Sequence, residues 1–286
     1  MIQLLAKPVT DLLKTQLKER VHAFISTFGR KPKIVVVLIG DDPASRIYTS
    51  KKAAAATELN IDHETIHLPS DTPASQVKTL ISHLNSQSSV DGILIQRPLP
   101  PSFIEAEVVY WISPEKDVDA FHPIHAGRLA LGLPTLMPCT PAGVMELLKH
   151  YPIQIQGRVA CVIGRSSIVG KPMASLLLQA HATVLHCHRQ TPDLKKFTKQ
   201  ADLLVVAAGQ PEFIDRSYVR EGAVVIDVGI HRTAENRIVG DVRFDDVAPI
   251  SSAISPVPGG VGPMTILMLM QNTLLAAERR QLEKTT

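Results

Sequence analysis

The sequence predicts an α/β protein of two domains, residues 1–120 and 121–286, with a cleft between them and a Rossmann-like second domain. Three observations carry this. Short apolar runs alternate with helix-patterned stretches, as in a mostly parallel sheet covered by helices on both faces. The pattern breaks between Ser113 and Pro138, in Pro114-Glu-Lys-Asp-Val-Asp-Ala-Phe-His-Pro123 and a Gly- and Leu-containing connector, which places the boundary near residue 120. The stretch Arg158-Val-Ala-Cys-Val-Ile-Gly-Arg-Ser-Ser-Ile-Val-Gly-Lys-Pro172 reads as a buried strand, a glycine turn and a helix beginning near Gly170. A strand, turn and helix N-terminus in that order offer backbone N–H groups and a positive dipole end to a phosphate.

The elements follow in order. Thr10 can cap a helix carrying Leu12, Leu13, Leu17, Val21, Phe24 and Ile25 at helical spacing, with His22 on its exposed side. Lys33–Gly40 is a buried strand closed by Gly40-Asp41-Asp42-Pro43, and a helix from about Ala44 to Leu59 follows. His63–Leu68 alternates weakly as a strand, Val77, Leu80, Ile81 and Leu84 mark a helix, and Val90–Gln96 is the next buried strand. Ligands of such sheets bind beyond the C-terminal strand ends, here Gly40-Asp41 and Gln96-Arg97. In the second half, Pro141 opens a helix to about His150, and strands are expected at Thr183–Cys187, Leu203–Ala208 and Ala223–Val228. A Gly240-Asp-Val segment precedes Ser255-Pro-Val-Pro-Gly-Gly-Val-Gly-Pro263. The terminal helix, 264–286, is expected to pack back on the first domain, its methionines filling core.

The turn after Ile163 admits two phosphate-loop readings. A Walker A loop needs four residues between its glycines and a Lys-Ser or Lys-Thr pair. Five residues separate Gly164 from Gly170, and Pro172 follows Lys171, so that reading fails. The dinucleotide fingerprint is imperfect, with Ser166 at its second glycine position and Gly170 one residue late. The next strand tips the balance toward this fingerprint over an ordinary tight turn. It ends in His188-Arg189, where an NAD site usually carries an acid, and a basic residue there suits the extra phosphate of NADP, with a solvated loop charge as the alternative.

Composition sets the limits. A hydrophobic content of 45% with 20% charged residues describes a globular chain with ample core, and a net charge of +3 is too small to argue for nucleic acid or a membrane surface as a partner and at most compatible with an anionic ligand. The N-terminus lacks the basic and apolar regions of a signal peptide, and no apolar run spans a bilayer, so a cytoplasmic protein is expected. Cys139, Cys161 and Cys187 show no metal-type spacing; the last two fall in predicted strands as small apolar fillers, and no metal is implied.

Tyr48 and Lys52 lie four apart and emerge from one helix face, just after a strand end. The same pair serves short-chain dehydrogenases, but there it follows the nucleotide unit, and here it precedes that unit. Lys51 and Lys52 could equally form a solvated face. Gln96 is a turn residue or a bidentate partner for an amide-like edge. Asp117 and Asp119 are loop-capping acids or ligand acids, and the glycines of 258–263 a tight connector.

Taken in order, Tyr48-x-x-x-Lys52, Gly92-Ile-Leu-Ile-Gln96-Arg-Pro-Leu-Pro, Pro114-Glu-Lys-Asp-Val-Asp119, Gly164-Arg-Ser-Ser-Ile-Val-Gly-Lys-Pro172, Val225-Ile-Asp-Val-Gly-Ile230 and Pro258-Gly-Gly-Val-Gly-Pro-Met-Thr265 resemble the bifunctional methylenetetrahydrofolate dehydrogenase/cyclohydrolase family over essentially the whole chain. The resemblance implies NADP-dependent oxidation of 5,10-methylenetetrahydrofolate to the methenyl form, then hydrolysis to 10-formyltetrahydrofolate. It makes residues 1–120 the folate-binding catalytic domain and 121–286 the NADP-binding domain, of a homodimer. By position, Lys52 looks like the catalytic lysine, Tyr48 the residue packing along the folate, Gln96 the lysine's support and Asp119 the pterin holder. Gly164, Arg165, Ser166 and Ile230 would line the NADP site, with Arg165 and Arg189 both expected near the 2′-phosphate.

The chemistry suits these types. Hydride loss leaves a nitrogen-stabilised cation, so oxidation needs positioning more than a strong base. Hydration of that cation needs proton transfer, which a lysine beside it can supply. Three residues depart from the family pattern: Arg97 stands for Leu, Ala120 for Gly and His231 for Asn. A solvated rim residue or an attractor for the anionic folate tail are the two readings of Arg97. The rival reading is a shikimate-dehydrogenase-like reductase using NADP, which leaves Pro258–Pro263 and Lys116–Asp119 unexplained; a non-catalytic NADP-binding regulator leaves Tyr48, Lys52, Gln96 and Asp119 unexplained.

Overall fold

A computed structural model describes residues 1–282. Its elements run β1 (Ile2–Gln3), α1 (Ala6–Phe28), β2 (Lys33–Ile39), α2 (Pro43–Glu58), β3 (Asp62–Leu68), α3 (Ala74–Ser86), β4 (Gly92–Ile95), α4 (Glu105–Val108) and α5 (Pro123–Ala130). There follow α6 (Cys139–His150), β5 (Val159–Ile163), α7 (Gly170–Gln179), β6 (Thr183–Cys187), α8 (Leu194–Thr198), β7 (Leu203–Val206) and β8 (Val224–Asp227). The chain closes with β9 (His231–Arg232), β10 (Ile238–Val239), α9 (Phe244–Val247), β11 (Ala253–Ile254) and α10 (Val261–Leu282). The last expected helical residues, 283–286, lie outside the described residues.

Two compact units emerge, neither continuous in sequence. One comprises 12–128, 134–137 and the chain from 266 onward; the other comprises 1–11, 129–133 and 138–265. We call them the catalytic and nucleotide units, after the motifs each carries.

The catalytic unit is built on a three-stranded parallel sheet in the order β3-β2-β4. Its central strand is buried on both faces, as its unbroken β-branched run requires. Val35, Val37 and Ile39 pack with Val77, Ile81 and Leu84 of α3, and Trp111 packs against the same cluster. The edge strand β3 is mostly exposed, which explains its weak alternation. Helix α2 starts where its sequence specifies: the Asp42 carboxylate accepts the Ser45 N–H at 2.7 Å, and Pro43 occupies the first turn. Buried Lys116 closes the end of α3, donating to the carbonyls of Leu84, Asn85 and Gln87 at 3.0, 2.7 and 2.6 Å.

The nucleotide unit holds a six-stranded sheet in the order β1-β11-β8-β7-β5-β6, every pairing parallel. Its strands β5, β7 and β8 are almost wholly buried. Cys161 and Cys187 sit in this core with sulfurs 3.8 Å apart, and burial pushes both thiols up from their ordinary range.

Three local expectations are corrected. Helix α1 begins at Ala6, with Pro8 tolerated in its first turn, and Thr10 is internal, its hydroxyl donating to the Lys7 carbonyl at 3.0 Å. Leu12 is 49% exposed and does not join the core face. The 113–138 stretch contains the helix α5, where a connector was expected.

Candidate active site

In the catalytic unit, Ser45 and Lys52 lie seven residues apart, so they share one face of α2. Both hold the C-terminal end of β4. The Ser45 hydroxyl donates to the Arg97 carbonyl at 3.2 Å, and the Lys52 ammonium donates to Gln96 Oε1 at 2.8 Å. The other end of the Gln96 amide is also committed, Nε2 donating to the Arg97 carbonyl at 2.6 Å. An amide fixed at both ends cannot flip, so Gln96 always presents its oxygen to Lys52. Tyr48 is half-buried on the same helix, and burial pushes its phenol up from its ordinary range. The structure thus joins Lys52 and Gln96 directly.

The segment after Lys116 runs parallel to β4, bridging at Ile93 and Asp117. Asp119, two residues on, lines a small cavity with Leu94, Ile95, Arg97 and Phe121, and so reaches the end of β4 that carries Gln96. Asp117 is a loop-capping acid. Its buried carboxylate accepts the His122 N–H at 2.6 Å, and desolvation pushes it up to about 7. Ala120, between these acids and Phe121, holds a left-handed φ of 60°, the conformation a glycine adopts without strain.

Arg97 is partly buried and engaged by protein partners. Its guanidinium pairs with Glu105 at 2.5 Å and lies 5.2 Å from the Phe121 ring centroid. With that partner it is poorly placed to recruit an anionic tail. Arg97→Leu is therefore expected to change folate KM by less than about threefold, an exposed pair being worth about 1 kcal/mol or less. Measuring KM at low and high salt checks it; loss of the wild type's salt dependence would restore the recruiting role.

In the nucleotide unit, register aligns the candidate loops. Ile163 lies level with Cys187 on one side and Val206 on the other, and Val206 level with Asp227. Gly164, His188, Ala207 and Val228 therefore leave the sheet side by side at its carboxyl edge, where dinucleotides bind in such folds. Gly164 has φ 122° and passes so close to the next strand that a Cβ would lie 2.2 Å from the Ala207 carbonyl oxygen. His186 bonds the Gly164 carbonyl at 2.7 Å. Arg165, Ser166, Arg189 and Ile230 are exposed at this edge. Ser166 does something its motif position did not suggest: its Oγ accepts the N–H groups of Val169 and Gly170 at 3.2 and 3.4 Å, bracing the turn that leads into α7. The edge still offers two exposed guanidiniums and a helix N-terminus to phosphates, which fits a dinucleotide with an additional phosphate.

Sequence reasoning missed Ser45, Asp227 and Asp241. Ser45 was readable as the third residue after a helix-capping Asp42. The two aspartates act mainly through backbone N–H groups, and the 225–230 and 240–242 segments contained them without showing that role.

Comparison with known proteins gives each unit a family match, although residues 4–11 and 266–281 fall under the profile of the other unit. The family profile described as "Tetrahydrofolate dehydrogenase/cyclohydrolase, catalytic domain" matches residues 4–119, and that described as "Tetrahydrofolate dehydrogenase/cyclohydrolase, NAD(P)-binding domain" matches 138–281. "Bifunctional protein FolD" of Acidithiobacillus ferrooxidans is 50% identical over 96% of this chain and 95% of its own. The crystal structure of the FolD dehydrogenase/cyclohydrolase of Campylobacter jejuni superposes with a TM-score of 0.95 at 46% identity, covering 98% of this chain and 99% of that one. The Trypanosoma brucei FolD structure, complexed with NADP cofactor and inhibitor, gives 0.93 at 33% identity, covering 98% of each chain. A Thermus thermophilus shikimate 5-dehydrogenase shares the fold alone, at 18% identity and a TM-score of 0.53 over 86% of this chain and 99% of that one. With both profiles matched and half of its residues shared with such a relative, the chain belongs to the tetrahydrofolate dehydrogenase/cyclohydrolase family.

Proposed function

We propose that this chain oxidises 5,10-methylenetetrahydrofolate to the 5,10-methenyl form with NADP and hydrolyses that product to 10-formyltetrahydrofolate. The observation that carries the reading is the Lys52–Gln96 contact of 2.8 Å in a chain of this family, because it fixes a proton-transferring amine at a strand end. Lys52 moves the proton during hydration of the methenyl cation. Gln96 keeps the ammonium aimed, Tyr48 packs along the folate, and Asp119 accepts from the donor edge of the pterin. On the nucleotide unit, Gly164, Arg165, Ser166 and Ile230 line the dinucleotide, and Arg189 meets its 2′-phosphate. When bound, NADP accepts the hydride. The shikimate-type alternative loses its support, since that likeness extends to the fold only.

The direct test follows absorbance of reduced cofactor after adding methylenetetrahydrofolate and NADP, then decay of the methenyl chromophore. Absence of both signals from the folded protein defeats the reading. A sharper test concerns Arg189. A charge-assisted contact contributes about 1.5–3 kcal/mol, so Arg189→Ala should weaken NADP roughly ten- to hundred-fold and leave NAD nearly unchanged. Equal losses for both cofactors would move this arginine away from the 2′-phosphate.

Two further features belong to this reading. The chain works as a homodimer: among the described residues β3 pairs only with β2, leaving an exposed strand edge suited to a second copy. Light scattering over a range of concentrations tests this, and a monomer at every concentration refutes it. It works in the cytoplasm, in keeping with three buried, reduced cysteines and with no helix among the described residues long and apolar enough to cross a membrane.

A further inference from the structure

Beside the candidate cofactor edge lies a pair of buried carboxylates that the reaction does not use. Asp241 is 0% exposed. Its Oδ2 accepts the N–H groups of Ala208 and Gly209 at 2.6 and 2.9 Å. Its Oδ1 accepts the Gln210 N–H at 2.9 Å and meets His231 Nε2 at 2.7 Å. With a carboxylate already accepting three N–H groups, Nε2 is the ring nitrogen that donates. Asp227 holds Asp241 in turn, accepting the N–H groups of Gly229 and Asp241 at 2.9 Å on Oδ1 and that of Val242 at 2.9 Å on Oδ2. The packing is close enough that a Cβ on Gly229 would sit 2.5 Å from the Asp241 carboxyl carbon.

These bonds converge from two loops at the carboxyl edge, 207–210 after β7 and 228–231 after β8. Ile230 sits between their anchor points: the N–H before it is bound by Asp227 and the ring after it by Asp241. Yet Ile230 is itself 50% exposed, and Gln210 is exposed as well. A fully buried carboxylate is a poor way to gain stability, because desolvation offsets most of what its bonds return. It is a good way to hold exposed residues in one geometry, since four donors on two oxygens leave little freedom.

We propose that Asp241 is a positioning residue for the dinucleotide site. Through His231 and the 208–210 N–H groups it sets the rim against which the cofactor is seated. The proposal rests on the NADP reading above and adds residues that make no contact with the 2′-phosphate. It therefore predicts loss of affinity for NADP and NAD alike, unlike Arg189→Ala.

The experiment uses the full chain with Asp241→Asn and, as the milder change at a partly exposed position, His231→Ala. Dinucleotide affinity is measured by isothermal titration calorimetry with NADP and with NAD. Methenyl hydrolysis, which consumes no dinucleotide, is measured in parallel. Asp241→Asn should weaken both dinucleotides about tenfold or more, and His231→Ala about threefold, while hydrolysis stays within about twofold of wild type. If Asp241→Asn does not fold, the His231→Ala result alone decides. Unchanged affinities, or hydrolysis falling in step with affinity, would overturn the proposal. Wild-type protein that binds no dinucleotide would instead bring down the cofactor reading, and this proposal with it.

Discussion

Lys52→Met is expected to lower methenyltetrahydrofolate hydrolysis by about 10²–10⁴-fold, the usual contribution of a positioned proton-transfer group. Methionine keeps an unbranched apolar stem of similar length, so the packing of α2 is preserved while the ammonium is removed. Among the described residues, the hydrogen bond lost is the one to Gln96 Oε1. Gln96 keeps its second anchor at the Arg97 carbonyl, so the strand end should not rearrange. Oxidation should fall less, because loss of hydride to a nitrogen-stabilised cation depends on alignment more than on a base. Circular dichroism and thermal unfolding establish that the variant is folded; normal hydrolysis in it would remove Lys52 from the mechanism.

The largest expected effect on stability is at Asp91. This carboxylate is fully buried and accepts two bonds from Arg30 at 2.6 and 2.8 Å, one from the Lys33 N–H at 2.9 Å and one from Arg280 at 3.1 Å. It ties the end of α1, the start of β2 and the end of α10 together. Asp91→Ala leaves two guanidiniums facing each other with no counter-charge. Removing one partner of a buried pair costs about 3–5 kcal/mol. Urea unfolding should register a loss of that size, with Asp91→Asn retaining part of it by still accepting the Lys33 N–H. A loss under about 1 kcal/mol would mean that the arginines find other acceptors or solvent.

The order of strands and helices was legible because the central strands are buried on both faces and so write continuous apolar runs, as Lys33–Ile39 and Val159–Ile163 do. Start signals were equally plain where they are local, as at Asp42-Pro43. The two-residue strand β1 was not legible, since its pairing with Ala253–Ile254 is a fact about the other end of the chain. Helix α5 escaped because eight residues opening on Pro123 and containing Gly127 carry too little periodicity. At the candidate site, the ordered motifs and the family they resemble suggested Lys52, Gln96 and Asp119, where residue types and spacing alone left alternatives open. They could not reveal the doubly anchored Gln96 amide or the engagement of Arg97 by Glu105, which depend on where the chain turns after β4. Asp227 and Asp241 were illegible for a related reason: their partners are mostly backbone N–H groups, and the one side chain, His231, is brought to Asp241 only by the fold.

The chain's natural spectroscopic and chemical probes fall on opposite sides of its division into units. Its single tryptophan, Trp111, belongs to the catalytic unit, while all three thiols, at Cys139, Cys161 and Cys187, belong to the nucleotide unit and are buried. Indole emission therefore reports the surroundings of Trp111 in the catalytic unit, and the rate at which a thiol reagent gains access reports opening around the buried cysteines of the nucleotide unit. Without any label, one sample carries a separate probe in each unit.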